Sequence, residues 1–514
     1  MKLKTKILQI ESGGFPVVVL NIDDAEDLGI KTTSRIKLKH KRKESVCIVN
    51  IAKKMVERGY IGIYKEVKDI FKLKDGEEVE VTVAPFPSSL QYIRERLKGR
   101  RLTKNKIYEI IKDVVNGNLS EVEITAFVVS LHYFGLSLEE ATNLTMAMVE
   151  TGKKLNIKKR PVLDKHSIGG AAGDKTSMIL VPIIASLGYT IPKTSSRAVT
   201  SAAGTADKAE CLMPVSLEID EMKRVVKKTN GCLVWGGRLG LAPADERFVN
   251  IEYPLHIDPL LFPSIMSKKK AVGATHLIID IPTGRGMKVK TIGDANFLAK
   301  DFIELGKRLG IKINVTITNG EQPIGYAIGP SLEAREALEI IMRKKTIGDQ
   351  EDKVFDIAEA LLKLVGDRKG RAKAMYALKS GKAEKKLREI IKEQGGNPRI
   401  KPEDIPIGEY TLDVNSPVNG VVFWIDTRLL VDLAKLAGAP KYRGAGIVIN
   451  KKIGDKVRKG EKLFTVFAER ERKLDLVEKV LLEKKPYGVG KKSEMLIQIV
   501  KEKIKHRKTF VLER

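Results

Sequence analysis

Two segments rich in small residues, hydroxyls and cations lie about thirty positions apart, and each adjoins a short apolar run. The first is 163–177 and the second is 193–210, with an apolar, helix-like stretch from Met178 to Leu187 between them. Glycine lets a backbone approach an anion, and the N–H groups that open a helix point at it. Lysine, arginine and hydroxyl side chains complete such a cage. The pattern therefore predicts two strand–loop–helix units that together form an oxyanion pocket, and we expect phosphate there.

The first loop differs from an ATP-binding P-loop. That motif, G-x-x-x-x-G-K-[ST], requires a lysine directly after its second glycine. Here three residues separate Gly169 from Gly173, and Asp174 stands before Lys175. The spacing therefore disfavours an ATPase.

The length of 514 residues exceeds what one hydrophobic core supports, so we expect about three or four domains. Alternating β-branched runs predict a small β-rich barrel in 1–84. Helical periodicity follows in 88–157, and strands alternating with helices in 158–395 predict a largely parallel sheet. Hairpin patterns in 405–505 predict an α+β, barrel-like domain. The expected fold class is multidomain α/β.

The net charge of +28 is compatible with nucleic-acid binding, but two other interpretations are favoured. The charges are dispersed and only 5% of residues are aromatic, so the aromatic-interleaved basic strip of a single-strand binder is absent. A lysine- and glutamate-rich surface of the thermophilic type explains the composition better. Positive potential also attracts small phosphate anions.

The three cysteines, Cys47, Cys211 and Cys232, are scattered and have neither disulfide-framework nor zinc-site spacing. The N-terminus lacks the apolar centre of a signal peptide, and the sequence has no apolar run of membrane-spanning length. We therefore expect a cytoplasmic protein without a bound metal or a membrane partner.

Three ordered motifs within 88–505 resemble the pyrimidine-nucleoside (thymidine) phosphorylase family. They are Asp164–Gly170 with Gly173–Ser177, then Ser195–Arg197 with Gly204–Asp207 and Glu210, and lastly Ser264–Lys269. Three features depart from the usual pattern: the loop has an additional residue at Ala171–Ala172, Ala244 stands where a pyrimidine-contacting arginine is expected, and 1–84 is extra. These departures make the chain most similar to the archaeal AMP phosphorylase branch. Members of that branch cleave a nucleoside 5′-monophosphate with inorganic phosphate, giving a base and ribose 1,5-bisphosphate.

The resemblance implies a cleft between the α/β domain and a helical domain made of 88–157 and 236–270, which closes by a hinge motion. It also implies a set of phosphate and AMP contacts: Lys165, Ser167, Gly169, Gly170, Ser177, Ser195, Ser196, Arg197, Ala198, Val199, Thr200, Thr205, Ser264, Lys268 and Lys288. Five of these would hold the attacking phosphate: Lys165, Ser167, Ser177, Ser195 and Thr205. The candidates for the 5′-phosphate are Arg197, Lys268 and Lys288, with Arg285 weaker. Asp207 and Glu210 are expected to brace the second loop.

The resemblance assigns Asp258 as the acid that protonates the departing base. An acid working at neutral pH needs a raised pKa, which an apolar setting provides. We expect that setting from three neighbours, Leu255, Ile257 and Leu260. The alternatives are a helix N-cap role for Asp258 before Pro259, and His166 or His256 as the acid.

The expected reaction is phosphorolysis of AMP, with CMP and UMP as further candidates. It needs no cofactor, because inorganic phosphate is a co-substrate, and relatives imply a homodimer or larger homo-oligomer. One alternative is a plain pyrimidine-nucleoside phosphorylase, which would be indifferent to a 5′-phosphate. An anthranilate phosphoribosyltransferase-like reaction would need magnesium, for which the sequence has no clear acidic pair. A nucleic-acid-binding protein is the alternative from another class.

Overall fold

The computed structural model describes residues 1–198 and 201–490, and it begins with a closed six-stranded barrel in the order β1-β5-β2-β4-β3-β6. Its elements are β1 (Lys2–Ile7), β2 (Val17–Asn21), α1 (Ile22–Asp27), β3 (Arg35–His40), β4 (Lys43–Ala52), β5 (Tyr60–Ile63), α2 (Lys65–Phe71) and β6 (Glu78–Val83). In β1 the exposed lysines alternate with the buried Leu3 and Thr5. Closure leaves the barrel without an unpaired edge.

Four helices follow as a bundle with its own core. They are α3 (Ser89–Leu97), α4 (Lys104–Asn116), α5 (Glu121–Phe134) and α6 (Leu138–Glu150). Ser120 and Ser137 form capping boxes with Glu123 and Glu140, which fix the first turns of α5 and α6. The barrel is fastened to this bundle by Arg35, which pairs with Glu123.

The central part has parallel strands with helices between them. Its elements are β7 (Leu163–Ser167), α7 (Thr176–Ser186), β8 (Ile191–Ser195), α8 (Thr205–Ala209), α9 (Ile219–Thr229), β9 (Gly231–Trp235), α10 (Pro243–Leu255), α11 (Leu261–Ala271), β10 (His276–Thr283), α12 (Ile292–Leu309), β11 (Lys312–Asn319), β12 (Ala327–Ile328), α13 (Pro330–Ile341), α14 (Gly348–Leu364), α15 (Gly370–Lys379) and α16 (Lys382–Glu393). One sheet has the order β11-β10-β7, and β8 pairs with β9. A parallel bridge between Val162 and Thr190 joins the two, so β7 and β8 end side by side. Ligands of open parallel sheets bind at such carboxyl ends.

Helices α10 and α11 leave the sheet and pack against the bundle. Phe248, Ile251 and Leu260 belong to the same core as α4 and α5, whereas Met266 of α11 packs against β10 and α12. The turn between α10 and α11 therefore lies where the bundle meets the α/β part, as a cleft between these two parts requires.

The C-terminal part is α+β. Its elements are β13 (Tyr410–Asn415), β14 (Gly420–Ile425), α17 (Thr427–Ala437), β15 (Gly446–Ile449), β16 (Lys456–Val457), β17 (Lys462–Ala468), α18 (Arg472–Glu483) and β18 (Tyr487–Gly490). The strands form two sheets, β12-β15-β17-β13 and β16-β14-β18. Because β12 comes from the central part, the first sheet ties the two parts together. In the described part of the chain, no helix combines the length and apolarity needed to cross a bilayer.

Candidate active site

Four lysines from three elements surround His166 at the carboxyl end of β7. Burial and the charges of Lys269, Lys193, Lys268 and Lys165 hold the pKa of this imidazole well below its usual value. His166 is therefore uncharged at neutral pH, which removes the acid role considered for it in this arrangement. A concentration of positive potential at the end of a parallel strand favours an anion.

Two of these lysines, Lys165 and Lys269, form ion pairs with carboxylates of low exposure. The Nζ atom of Lys165 lies 3.6 Å from a carboxylate oxygen of both Asp174 and Asp280. Lys353 Nζ lies 2.9 Å from Asp280 and 3.3 Å from Asp174. Burial opposes ionisation of Asp174, but Lys165 and Lys353 outweigh it and hold its pKa well below the usual range. On the other side, Lys269 pairs with Asp164, with 2.8 Å between Nζ and a carboxylate oxygen.

Sequence reasoning missed Asp280 and Lys353 in this network. The available signal was Asp280, a single carboxylate inside the apolar strand His276–Thr283. A charge at a buried strand position is rare unless it is paired. Nothing in the sequence indicates that Lys353, on the distant helix α14, is the partner.

The first predicted loop has the backbone that its glycines suggest. Gly169, Gly170 and Gly173 have φ values of +92°, +102° and +70°, in the left-handed region. A Cβ atom on Gly173 would lie 2.6 Å from the carbonyl oxygen of Ile324, whereas one on Gly169 would have nothing within 4 Å. The loop is therefore packed at its far end and open at Gly169, next to the strand end.

Predicted hydroxyls lie at the strand ends and helix starts of both strand–loop–helix units. Ser167 ends β7, Ser177 lies in the first turn of α7, Ser195 ends β8, and Thr205 opens α8. The Oγ atom of Ser167 is buried and has no hydrogen-bond partner in the described structure. Because buried hydroxyls are nearly always satisfied, Ser167 fits a ligand that accepts its proton.

The second predicted loop is braced by its own ion pairs. Arg197 donates to both carboxylate oxygens of Glu210, at 2.7 and 2.9 Å, and to Asp207 at 3.2 Å. Asp207 also accepts from the backbone N–H of Ala198 at 2.7 Å. Arg197, which we considered for the 5′-phosphate, is thus committed to the loop's carboxylates. The adjacent predicted contacts Val199 and Thr200 lie outside the described residues.

The opposite wall holds the predicted acid beside a predicted cation. Lys288 Nζ lies 3.0 Å from a carboxylate oxygen of Asp258, and the two side chains are 39% and 42% exposed. The apolar setting expected around Asp258 is therefore wrong for this arrangement, because Leu255 faces solvent and Leu260 is buried in the bundle core. A Cβ atom on Gly170 would lie 3.4 Å from the backbone nitrogen of Lys288, so this wall adjoins the first loop.

Asp258 does not cap α11, since the residue at that N-cap is Leu260. His256, the other rival acid, lies in the left-handed turn that ends α10 and is exposed. Arg285, the weaker cation candidate, is also exposed, and its backbone N–H donates to Glu321 at 3.0 Å. None of these observations gives His256 or Arg285 a place in the cleft.

The remaining predicted contacts lie on α11. Ser264 and Lys268 are one turn apart on this helix, and Lys268 Nζ lies 2.6 Å from a carboxylate oxygen of Asp245. Ala244, at the position expected for an arginine, is fully buried in the bundle core. Helix α10 thus presents a carboxylate to Lys268 where the related enzymes are expected to present a cation.

Comparisons with known proteins agree with this architecture. Residues 159–384 match the model described as "Glycosyl transferase family, a/b domain", 90–152 match its helical bundle domain, and 421–487 match the "Pyrimidine nucleoside phosphorylase C-terminal domain". A solved anthranilate phosphoribosyltransferase from Thermus thermophilus superposes with a TM-score of 0.51 at 19% identity, covering 59% of this chain and 98% of that one. That likeness concerns the fold alone.

Two curated relatives match far more of the sequence. A protein of Thermofilum pendens named AMP phosphorylase is 48% identical over the whole of both chains. One of the same name from Pyrococcus furiosus is 48% identical, covering 92% of this chain and 95% of its own. With this identity over its full length and the matching domains, the chain belongs to the AMP phosphorylase family.

Proposed function

We propose that the chain catalyses the phosphorolysis of AMP, in which inorganic phosphate displaces adenine from C1′ of the ribose. One observation carries the proposal: the glycine loop that ends beside the lysines packs against Lys288, and Lys288 pairs with Asp258. An anion site, a second cation and an acid therefore meet in one cleft. The relatives named AMP phosphorylase support this substrate.

In the proposed reaction, Lys165, Ser167, Ser177, Ser195 and Thr205 hold the attacking phosphate. A phosphate oxygen forms a bond to C1′ while the bond from C1′ to the base nitrogen breaks. Asp258 protonates the departing base, and hydrogen phosphate loses one proton on becoming an ester, so protons balance. Holding both reactants in one site contributes up to roughly 7–11 kcal/mol in favourable cases. No cofactor takes part, and the products are adenine and ribose 1,5-bisphosphate.

Lys288 is the best placed candidate for the substrate's 5′-phosphate, with Lys268 second. Its ammonium group is partly exposed and pairs with a partly exposed carboxylate, an arrangement that costs little to exchange for a phosphate. Lys268 is held more closely by the buried Asp245. To bind the 5′-phosphate, Arg197 would have to break its ion pairs with Asp207 and Glu210.

The test is to incubate purified protein with AMP, with and without inorganic phosphate, and to follow free adenine. Adenosine, CMP, UMP and thymidine run in parallel. We expect phosphate-dependent release of adenine from AMP and much slower release from adenosine. Cleavage of thymidine but not AMP would instead indicate the nucleoside enzyme. Release from none of them, together with steeply salt-dependent binding of DNA or RNA, would favour the nucleic-acid-binding alternative.

The assembly and location are further parts of this proposal. A homodimer or larger homo-oligomer in the cytoplasm fits the resemblance and the three cysteines, all of which have free thiols. No nucleic-acid or membrane partner is proposed. Light scattering of the purified chain tests the assembly, and a monomeric mass would contradict it.

A further inference from the structure

Glu252 holds the segment that carries Asp258. Its carboxylate accepts a hydrogen bond from the backbone N–H of Leu260 at 3.1 Å, and its own carbonyl oxygen accepts one from Ile257 at 3.2 Å. These two bonds close the segment 256–260 from both sides of Asp258. The Glu252 residue is only 6% exposed, although it adjoins the cleft.

The charges around Glu252 favour its neutral form. Burial, with the negative charges of Asp258 and Asp245, raises the pKa of Glu252 to about 8, and the Leu260 N–H bond and Lys288 only partly oppose this. Asp245 is itself paired with Lys268, and Asp258 with Lys288. His256, in the same turn, is exposed, and its ring stacks on Tyr253 rather than facing Glu252. Glu252 therefore keeps its proton at neutral pH, beside the carboxyl group of Asp258.

The proposed reaction needs a proton on Asp258. A general acid must hold its proton when the bond to the base breaks. The ion pair with Lys288 stabilises the carboxylate form of Asp258, which carries no proton. The nearby group that does have one is Glu252, which is buried on the helix behind it.

We propose that Glu252 is a positioning residue that acts through Asp258: it holds the segment 256–260 in place and keeps the proton that Asp258 delivers to the base. The inference rests on the proposed function. When the 5′-phosphate draws Lys288 away and the base covers Asp258, the charged form of Asp258 loses its cation and its water. The proton then leaves the Glu252 oxygen and joins the Asp258 oxygen, and the negative charge moves to Glu252, where the Leu260 N–H stabilises it.

The later steps return the two carboxyl groups to their starting protonation. Asp258 passes the proton to the base nitrogen as the bond to C1′ breaks. Asp258 is then a carboxylate beside the carboxylate of Glu252. The charge of Asp258 raises the proton affinity of Glu252, so the pair takes up one proton before the next turnover.

The test compares Glu252→Gln with Glu246→Gln over a range of pH. Glutamine keeps an acceptor for the Leu260 N–H but carries no transferable proton. Glu246 is the other glutamate of this helix and serves as the control, because burial and Asp245 raise its pKa as well, whereas in the described structure it makes no hydrogen bond to the segment 256–260. In the wild type, the required proton is bound below about pH 8 and lost above it, so kcat falls as the pH rises through this value. For Glu252→Gln we expect kcat for AMP to fall at least about 10-fold at neutral pH, its alkaline limb to move to lower pH, and KM for phosphate to stay unchanged.

A second substrate separates proton delivery from a structural effect. N7-methyl-AMP carries a cationic base, which leaves without being protonated. We expect Glu252→Gln to cleave it at nearly the wild-type rate, and the alkaline limb of the wild type to disappear. Equal slowing of both substrates, or a wild-type pH profile in Glu252→Gln, would overturn the inference.

If the Glu252→Gln variant does not fold, the wild-type measurement still tests the inference. An alkaline limb of kcat that persists with N7-methyl-AMP contradicts proton delivery. Failure of the proposed function is distinguishable from all these outcomes. In that case the wild type itself would release no base from AMP.

Discussion

The two walls of the candidate cleft are built differently. On the α/β side, the side chains of Lys165, Asp280 and Lys353 are 3%, 0% and 7% exposed. Asp280 forms buried ion pairs with both lysines. On the helical side, Asp258 and Lys288 are about two-fifths exposed and pair only across the cleft's edge. One wall is thus preorganised for an anion before any ligand arrives. The other holds an ion pair that substrate can exchange, which suits the group that must change its protonation during the reaction.

The energies differ for the same reason. Removing one partner of a buried ion pair costs about 3–5 kcal/mol, because the other charge is left without compensation. An exposed pair contributes about 0–1 kcal/mol. Mutations in the buried ion pairs of the α/β wall should therefore change stability, and those of the exposed pair on the helical wall should change catalysis.

The largest effect is expected for Asp258→Asn. An asparagine cannot protonate the base, so kcat for AMP should fall about 10²–10⁴-fold, the usual contribution of general acid catalysis. The melting temperature should stay close to the wild-type value, since the side chain is exposed. Steady-state kinetics and thermal unfolding measure both. His256→Gln, two residues earlier, is the control, and an Asp258→Asn enzyme with nearly wild-type kcat would remove Asp258 from its proposed role.

Lys353→Met should instead weaken the fold. In the described structure Asp280 would keep Lys165, at 3.6 Å, as its only cationic partner, beside the hydroxyl of Thr318 at 2.7 Å. The free energy of unfolding should drop by about 3–5 kcal/mol. Denaturant unfolding measures this, with Lys288→Met as the matched control, for which we expect a change below about 1 kcal/mol. Equal losses in the two variants would contradict the contrast between the walls.

Lys288→Met should act on substrate preference. The variant loses a charged hydrogen bond to the 5′-phosphate, which is worth about 1.5–3 kcal/mol, or roughly 10- to 150-fold in kcat/KM for AMP. Adenosine, which has no 5′-phosphate, should be cleaved at a nearly unchanged rate. Measuring both substrates gives the ratio. If Arg197→Gln lowers the ratio and Lys288→Met does not, the 5′-phosphate site lies on the second loop.

Ser167→Ala should have the smallest effect. Its hydroxyl makes no hydrogen bond in the described structure, so stability should hardly change. Losing one hydrogen bond to phosphate, about 1 kcal/mol, should raise KM for phosphate several-fold. The control is Ser186→Ala on α7, whose hydroxyl donates to Ile183 at 2.7 Å. An unchanged KM for phosphate would place the attacking anion elsewhere.

Much of the fold followed from local patterns. The apolar stretch from Met178 to Leu187 predicted α7. A β-rich barrel was predicted, but two of its strands are weakly marked in the sequence, because the lysines of β1 hide its alternation and β5 is only four residues long. A short strand has too few residues to show a clear alternation in the sequence, and its pairing in the closed barrel stabilises it.

The sequence by itself determined the backbone of the first candidate anion loop, since glycines at positive φ are a local requirement that any fold must respect. Only the tertiary structure decided which charges are shared. Lys353 forms an ion pair with Asp280, and Arg197 forms one with Glu210 instead of facing the cleft. Glu252 accepts a hydrogen bond from Leu260, next to the segment that carries Asp258. Burial and the proximity of chain segments that are distant in sequence set these pairings and the pKa of Glu252, because desolvation and Coulomb energy depend on distances that exist only after folding.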